Sequence, residues 1–182
     1  AERLDCTHVV NVQGDEILVV AGDLERMVQA MHADPAVPAW NATAPIEAAS
    51  ELADPSIVKC AVAQSGRILF CSRQFSHLAL TQRPGEAPIR KILGILGFRR
   101  DFLKRYVTLS RTPLEVAEGI DQSRILEHDV TLRGVAFDHG YPGINEPRDV
   151  EIVSRRLDED PLQQAILRDI LSSNSRAGAC RR

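Results

Sequence analysis

Apolar, β-branched runs alternate with capped helical stretches along the whole chain, and this alternation constrains the fold more than any single motif does. Val9–Val12 and Ile17–Val20 read as strands. Asp23 then caps "LERMVQAMHA", in which Leu24, Met27, Val28 and Met31 share one face at spacing i, i+3, i+4, i+7. Ile57–Arg73 predicts a hairpin, two apolar runs around a Gly-containing turn. "KILGILGF" (Lys91–Phe98) predicts a buried strand whose two glycines imply close backbone approach of a neighbour. Thr112-Pro113-Leu114-Glu115 is a capping box with Pro at the first helical position, so a helix is expected from there to about Glu127. Asp129–Phe137 is the next strand. His139–Asp149 is a turn feeding a helix with Val150, Val153 and Leu157 on its apolar face. Asp160-Pro161-Leu162-Gln163 opens the last helix, with Leu162, Ile166 and Ile170 at helical spacing. All-apolar and hairpin-linked strands among helices predict an α/β fold with a mixed sheet.

Between these elements lie the less regular stretches. Asp34–Ser56 holds four of the ten prolines and reads as a long surface connection with a short helix near Ala48–Leu52. Phe75–Pro88 is loop-like, and Ser172–Arg182 is expected to be a disordered polar tail behind a single domain spanning 1–171.

At 182 residues the chain can bury a sizeable core as one domain. A net charge of −3 and no basic stripe with interleaved aromatics argue against a nucleic-acid partner. Cys6, Cys60, Cys71 and Cys180 form no CxxC pair and are expected to be buried or free thiols of a reducing compartment. Neither a signal peptide nor 18 consecutive apolar residues is present, so a cytoplasmic protein is expected. The chain opens on Ala rather than Met, which fits either a processed start or a missing N-terminal portion.

No P-loop, G-x-G-x-x-G, H-E-x-x-H or G-x-S-x-G is present, and the five histidines have no ligand spacing. Two polar interruptions remain. Gln13-Gly14-Asp15-Glu16 ends a strand, where an Asp can reach a ligand crevice and hold Mg²⁺ against phosphates. Spacing alone favours a turn, with Gly14 supplying the permissive φ and Asp15 bonding its own backbone. Gly143-Ile144-Asn145-Glu146-Pro147 divides in the same way. Asn145 is a good N-cap for the following helix, or its amide oxygen points at the same metal.

Taken in order, these segments resemble the cytidylyltransferases that activate acidic sugars, most closely those for 3-deoxy-manno-octulosonate (Kdo). Asn11–Glu16 matches a family strand ending V-N-V-Q-G-D-E-P. "SIVKCAV" and "ILFCSR" match N-x-V-K-V-V and Y-F-S-R, and "ILGILGFRRDFLKRY" matches H-L-G-I-Y-G-Y-R followed by F-I-R-R-Y. "PLEVAEGIDQSR" (Pro113–Arg124) matches P-L-E-x-x-E-x-L-E-Q-L-R, and "GINEPRDV" (Gly143–Val150) matches G-V-D-T-P-E-D-L.

The resemblance, which covers roughly Asp5 to Leu157, implies a Rossmann-like nucleotidyltransferase fold with its N-terminal part missing. It implies that Asp15 holds Mg²⁺ on the nucleotide phosphates and that Asn145 stands at the second metal position. Gln13, Arg73, Glu118 and Gln122 match positions near the sugar acid or nucleotide. The implied reaction is attack of a substrate oxygen on the α-phosphorus of CTP with release of pyrophosphate, in a homodimer, as a step of lipopolysaccharide biosynthesis.

Three departures from the family bear on the substrate. The segment with the opening strand and the R-x-x-S-x-R-L-x-x-K triphosphate loop is absent. Asn145 stands for an Asp, and Ile92 stands for the sugar-site His where S-R-A-x-I-P-W has also become "SRQFSHLA". A smaller or differently charged acid fits these changes, so CMP transfer to a phosphonate such as phosphonoformate, in antibiotic biosynthesis, is an alternative. A non-catalytic homologue or subunit is another.

Overall fold

The computed structural model describes residues 3, 5–75 and 89–179. They form two compact units, one of Ala1–Gln13 with Ala21–Gly140 and a second of Gly14–Val20 with Tyr141–Arg182, where the sequence predicts one domain.

The first unit is built on a six-stranded mixed sheet among the described residues. Its strands are β1 (His8–Val12), β2 (Ala39–Ala44), β3 (Lys59–Val62), β4 (Ile68–Ser72), β5 (Ile89–Arg99) and β6 (Leu132–Ala136). The order runs β4-β3-β5-β2-β6, with β1 also on β5. β5 is the axis of this arrangement. One of its edges pairs antiparallel with β2, and the other is shared by β3, against Ile89–Lys91, and β1, against Ile95–Arg99. Among the described residues only β2 and β6 run parallel. The strand expected over Lys91–Phe98 is therefore present and longer, and the Ile57–Arg73 hairpin forms as read, with Gly66 at φ 82° in its turn.

Among the described residues the helices of this unit are α1 (Ala21–Ala33), α2 (Ala49–Ala53), α3 (Arg100–Tyr106), α4 (Pro113–Glu118) and α5 (Gln122–Glu127). Ile68, Cys71, Leu96, Phe98, Phe102, Ile120, Ile125 and Leu132 belong to one core cluster, with Tyr106 and Val58 packed on it. Met27 and Met31 of α1 close against Gly97, where a side chain would meet the Met31 sulfur at 2.8 Å. That is the close approach the glycines of β5 imply. Cys60 and Cys71 face each other across β3 and β4 as buried free thiols, and burial pushes Cys60 up to about 12.

Several sequence expectations are corrected. The supposed surface connection carries β2, buried along its entire length. Its residues "AWNATA" are small or, like Trp40, fully buried, and a strand between two neighbours selects for fit rather than for β-branching. Asp23 does not cap α1, which begins at Ala21; it lies inside the helix, buried, with His139 Nδ1 3.1 Å from its carboxylate. The helix opened at Pro113 stops at Gly119, whose φ of 63° ends it before α5 begins. Ile17–Val20 is no strand, because the chain turns at Gly14–Asp15 and again at Ile17–Leu18.

The second unit holds α6 (Asp149–Glu159) and α7 (Pro161–Ala179). The Asp160 carboxylate accepts from the backbone N–H groups of Leu162 and Gln163, the capping role the sequence predicts for it. Leu18 is buried, and its carbonyl accepts from the Gln163 amide at 2.9 Å. Val153 is the buried member of the α6 face, whereas Val150 is 49% exposed. α7 continues to Ala179, so the disordered tail expected from Ser172 is helical that far. The stretch Phe75–Pro88 lies, apart from Phe75, outside the described residues.

Candidate functional site

Gly14–Asp15 is a turn, and the turn sets Asp15 beside a loop remote in sequence. The Asp15 carbonyl accepts from Ile17 N–H at 3.0 Å and from Ile144 N–H at 3.2 Å. Gly143 packs so closely that a Cβ there would stand 3.0 Å from this carbonyl oxygen and 3.3 Å from Asp15 Oδ2. The half-buried Asp15 and the Gly143–Asn145 loop are thus joined in the second unit. Asn145 is exposed and does not cap α6. The Asp149 carboxylate, on the first residue of the helix, accepts instead from the N–H groups of Asn145 and Glu146 in the loop ahead of it, at 2.9 and 2.8 Å. The Asn145 side chain takes no part in these bonds.

Gln13 belongs to the first unit. Its N–H donates to the Gly94 carbonyl at 2.8 Å, continuing the β1–β5 ladder past Val12. Its side chain lies over Gly94, with Oε1 2.5 Å from where a Cβ would be. A side chain there would displace Gln13 from this position.

Arg73 and Glu118 meet across the turn after β4. The Arg73 N–H donates to the Glu118 carboxylate at 3.1 Å, and its Nε donates to the Glu118 carbonyl at 2.9 Å. Further donations to Pro55 and Gly119 carbonyls tie the guanidinium to two backbone segments. Behind it the fully buried Lys59 gives Nζ to the carbonyls of Asp54, Ile57 and Arg73 at 2.6, 3.0 and 2.6 Å. Desolvation lowers its pKa, and the three carbonyls satisfy each of its protons.

Gln122 goes elsewhere. Its Nε2 donates at 3.0 Å to Oδ1 of Asn41 on β2, and Asn41 Nδ2 donates to the Leu93 carbonyl at 2.9 Å. Gln13 and Gln122 are therefore both referred to the Leu93–Gly94 step of β5, one directly and one through Asn41. Glu115, in the capping box before it, takes Arg124 and Arg111 on its carboxylate, and Arg124 above all holds its pKa down to about 2.

Asn41, Lys59 and the Lys91–Glu51 ion pair, at 2.6 Å, are polar groups the sequence reading passed over. A signal existed for each lysine: a cation inside an apolar run, where burial demands partners. Asn41 went unseen because its strand did. Among the described residues a cavity of about 460 Å³ is lined by Asp5, Cys6, Thr7, His8, Val10, Val28, Met31 and His32, and it contains none of the predicted site residues.

Among the described residues no three His, Cys, Asp or Glu gather as a metal cage. Mg²⁺ bound to a nucleotide needs no cage, since phosphates and water supply most of its oxygens. A half-buried carboxylate at Asp15, uncovered by any side chain at Gly143, beside an uncommitted amide at Asn145, fits that ion.

The chain matches the profile of a protein family described as Cytidylyltransferase over residues 2–132. It is 32% identical over 162 residues to the 3-deoxy-manno-octulosonate cytidylyltransferase of Syntrophotalea carbinolica, an alignment covering 85% of this chain and 65% of that one. It is 36% identical over 153 residues to the enzyme of the same name from Myxococcus xanthus, covering 83% and 60%. A solved structure of CMP:2-keto-3-deoxy-manno-octonic acid synthetase complexed with CTP superposes with a TM-score of 0.77 at 29% identity, covering 87% of this chain and 65% of that one. The chain thus spans about three fifths to two thirds of the length of these relatives.

Proposed function

The chain belongs to the cytidylyltransferase family and has its nucleotidyltransferase fold; from that premise we propose that the complete protein transfers CMP from CTP to a Kdo-like sugar acid. The observation that carries the proposal is the junction of Asp15 with Gly143 and Ile144. A carboxylate on a tight turn, locked to a second loop at its own carbonyl, is a fixed point of negative charge.

In this reading Asp15 and the amide oxygen of Asn145 hold Mg²⁺ on the CTP phosphates. The ion supplies charge neutralisation at the α-phosphorus. The chain's own residues do the positioning. Gln13, held over Gly94, and Gln122, held by Asn41, offer amide groups to the acid or nucleotide. Arg73 and Glu118, tied together, fix the turn after β4 and bring one charge of each sign to it. An oxygen of the acid attacks the α-phosphorus, the bond to the β-phosphate breaks, and pyrophosphate leaves.

The relatives described above are named for Kdo and none for a phosphonate, which favours the sugar acid over phosphonoformate. It favours an enzyme of lipopolysaccharide synthesis over a non-catalytic homologue as well. A cytoplasmic homodimer is proposed with it. Among the described residues no helix is long and apolar enough to cross a membrane.

The test is pyrophosphate release from CTP and Kdo by the complete protein, with and without Asp15→Asn. Loss of at least about a hundredfold in kcat is expected for the variant. A variant as active as the wild type removes the metal role from Asp15, and a wild type inactive with Kdo and with related sugar acids removes the proposal.

A further inference from the structure

Asn41 stands in the middle of β2 with no exposed surface, and its side-chain amide has carbonyls on one side. Nδ2 lies 2.9 Å from the Leu93 carbonyl oxygen and 2.8 Å from that of Ala42. A carbonyl only accepts, so the atom facing these two has to be the nitrogen. Oδ1 is thereby turned the other way, toward the Gln122 amide 3.0 Å off. It also only accepts, so Gln122 must turn its Nε2 inward. Two backbone carbonyls thus dictate, through Asn41, which end of the Gln122 amide is left free of Asn41. That end is Oε1, to which no donor is bonded among the described residues.

An unconstrained glutamine is ambivalent: by rotating half a turn it greets a donor or an acceptor equally well. Gln122 has lost that freedom. Reversed, its Oε1 would face Asn41 Oδ1, exchanging a buried hydrogen bond for two opposed oxygens.

We infer that Asn41 is a positioning residue that fixes Gln122 as an acceptor, so that the acid is recognised through a hydroxyl group donating to Gln122 Oε1. This rests on the CMP-transfer reading in which Gln122 faces the acid, and it sharpens that reading to a substrate class. A polyhydroxylated acid supplies the donor. A small phosphonate or dicarboxylate has no alcohol hydroxyl, brings mainly acceptor oxygens to an acceptor, and is disfavoured.

The experiment uses the complete protein, CTP, and a series of Kdo analogues each lacking one hydroxyl. In the wild type one analogue is expected to raise KM about tenfold or more, with a smaller effect on kcat. In Asn41→Leu and in Gln122→Met that penalty falls below about threefold. Gln122→Met leaves the Leu93 carbonyl its Asn41 partner, so it carries the kinetic arm if Asn41→Leu does not fold. A wild type that transfers CMP to Kdo yet tolerates every single deoxy analogue within about twofold overturns the inference and leaves the CMP-transfer reading standing. A second arm reads the orientation without turnover: in ¹⁵N-labelled protein the Gln122 side-chain amide protons exchange slowly, and in Asn41→Leu they exchange at the rate of a free amide. Equal rates in both proteins overturn the positioning role. If no acid supports pyrophosphate release, the CMP-transfer reading fails and hydroxyl selection fails with it, while amide exchange still decides the orientation of Gln122.

Discussion

Gly143 lies against Asp15 so tightly that a single methyl group on it would stand 3.0 Å from the Asp15 carbonyl oxygen and 3.3 Å from Oδ2. The contact joins two stretches that the sequence keeps far apart, and it does so at the one carboxylate on which the proposed chemistry depends. Gly143→Ala requires the turn or the loop to give by a few tenths of an ångström. The expected result is a fall of about tenfold in kcat/KM for CMP transfer, with the thermal midpoint shifted by only about 2 °C. Unchanged kinetics would mean that the turn adapts at no cost to Asp15.

Asn145 supplies a neutral oxygen where the resemblance implies an aspartate. Asn145→Asp adds a negative charge near the proposed ion and keeps the backbone N–H that residue 145 donates to Asp149. The Mg²⁺ concentration giving half-maximal pyrophosphate release is expected to fall about threefold or more. Chelating the metal is expected to stop turnover in both proteins. A variant needing as much Mg²⁺ as the wild type places Asn145 away from the ion.

A side chain at Gly94 would strike Gln13, 2.5 Å from Oε1 and 3.1 Å from Cβ. The far oxygen can swing away, but the Gln13 Cβ cannot, because the Gln13 backbone is bonded to the Gly94 carbonyl at 2.8 Å. Gly94→Ala should therefore act by displacing Gln13. Combined with Gln13→Ala it is expected to lose little more activity than either change alone. Steady-state kinetics of the two single variants and the double variant give the answer, and fully additive losses would separate the two positions.

Acid stability isolates Glu115. Its side chain is 2% exposed, and pairing with Arg124 lowers its pKa from 4.5 to about 2. A lowered native pKa stabilises the fold above the unfolded value and ceases to do so as pH drops through the native one. The contribution is thus complete above pH 4.5 and is lost on the way down to about 2. Glu115→Gln leaves Arg124 without its partner and is expected to cost about 3 kcal/mol or more near neutrality. The gap between wild type and variant in denaturant unfolding should narrow steadily between these two pH values. A gap of constant width would show that the pair contributes no linkage.

The hairpin, the glycine-bearing strand and both proline-led helix starts could be read directly from the sequence, because turn chemistry, periodicity and capping are local. β2 could not. "AWNATA" has a strand's burial without a strand's composition, and its reason for being extended lies in β5 and β6 on either side of it. Ile17–Val20 erred in the opposite direction. It has the composition of a strand, yet Leu18 meets the Gln163 amide instead of a ladder. The site residues divide along the same line. Motifs single out Asp15 and Gln122 as candidates, whereas Asn41, hydrogen-bonded to Gln122, sat in the strand that composition hid.

The shared edge of β5 also sets an order of events. β1, β2 and β3 leave the ribosome before the strand to which all three hydrogen-bond has been made. Until Arg99 is synthesised they have no permanent partners on that axis, and β1 must wait the longest. Pairings so distant in sequence are slow to close and expose strand edges in the interval. Synthesis paused just ahead of Ile89 should leave a nascent chain that is protease-sensitive, and one carried beyond Arg99 should become resistant in a single step.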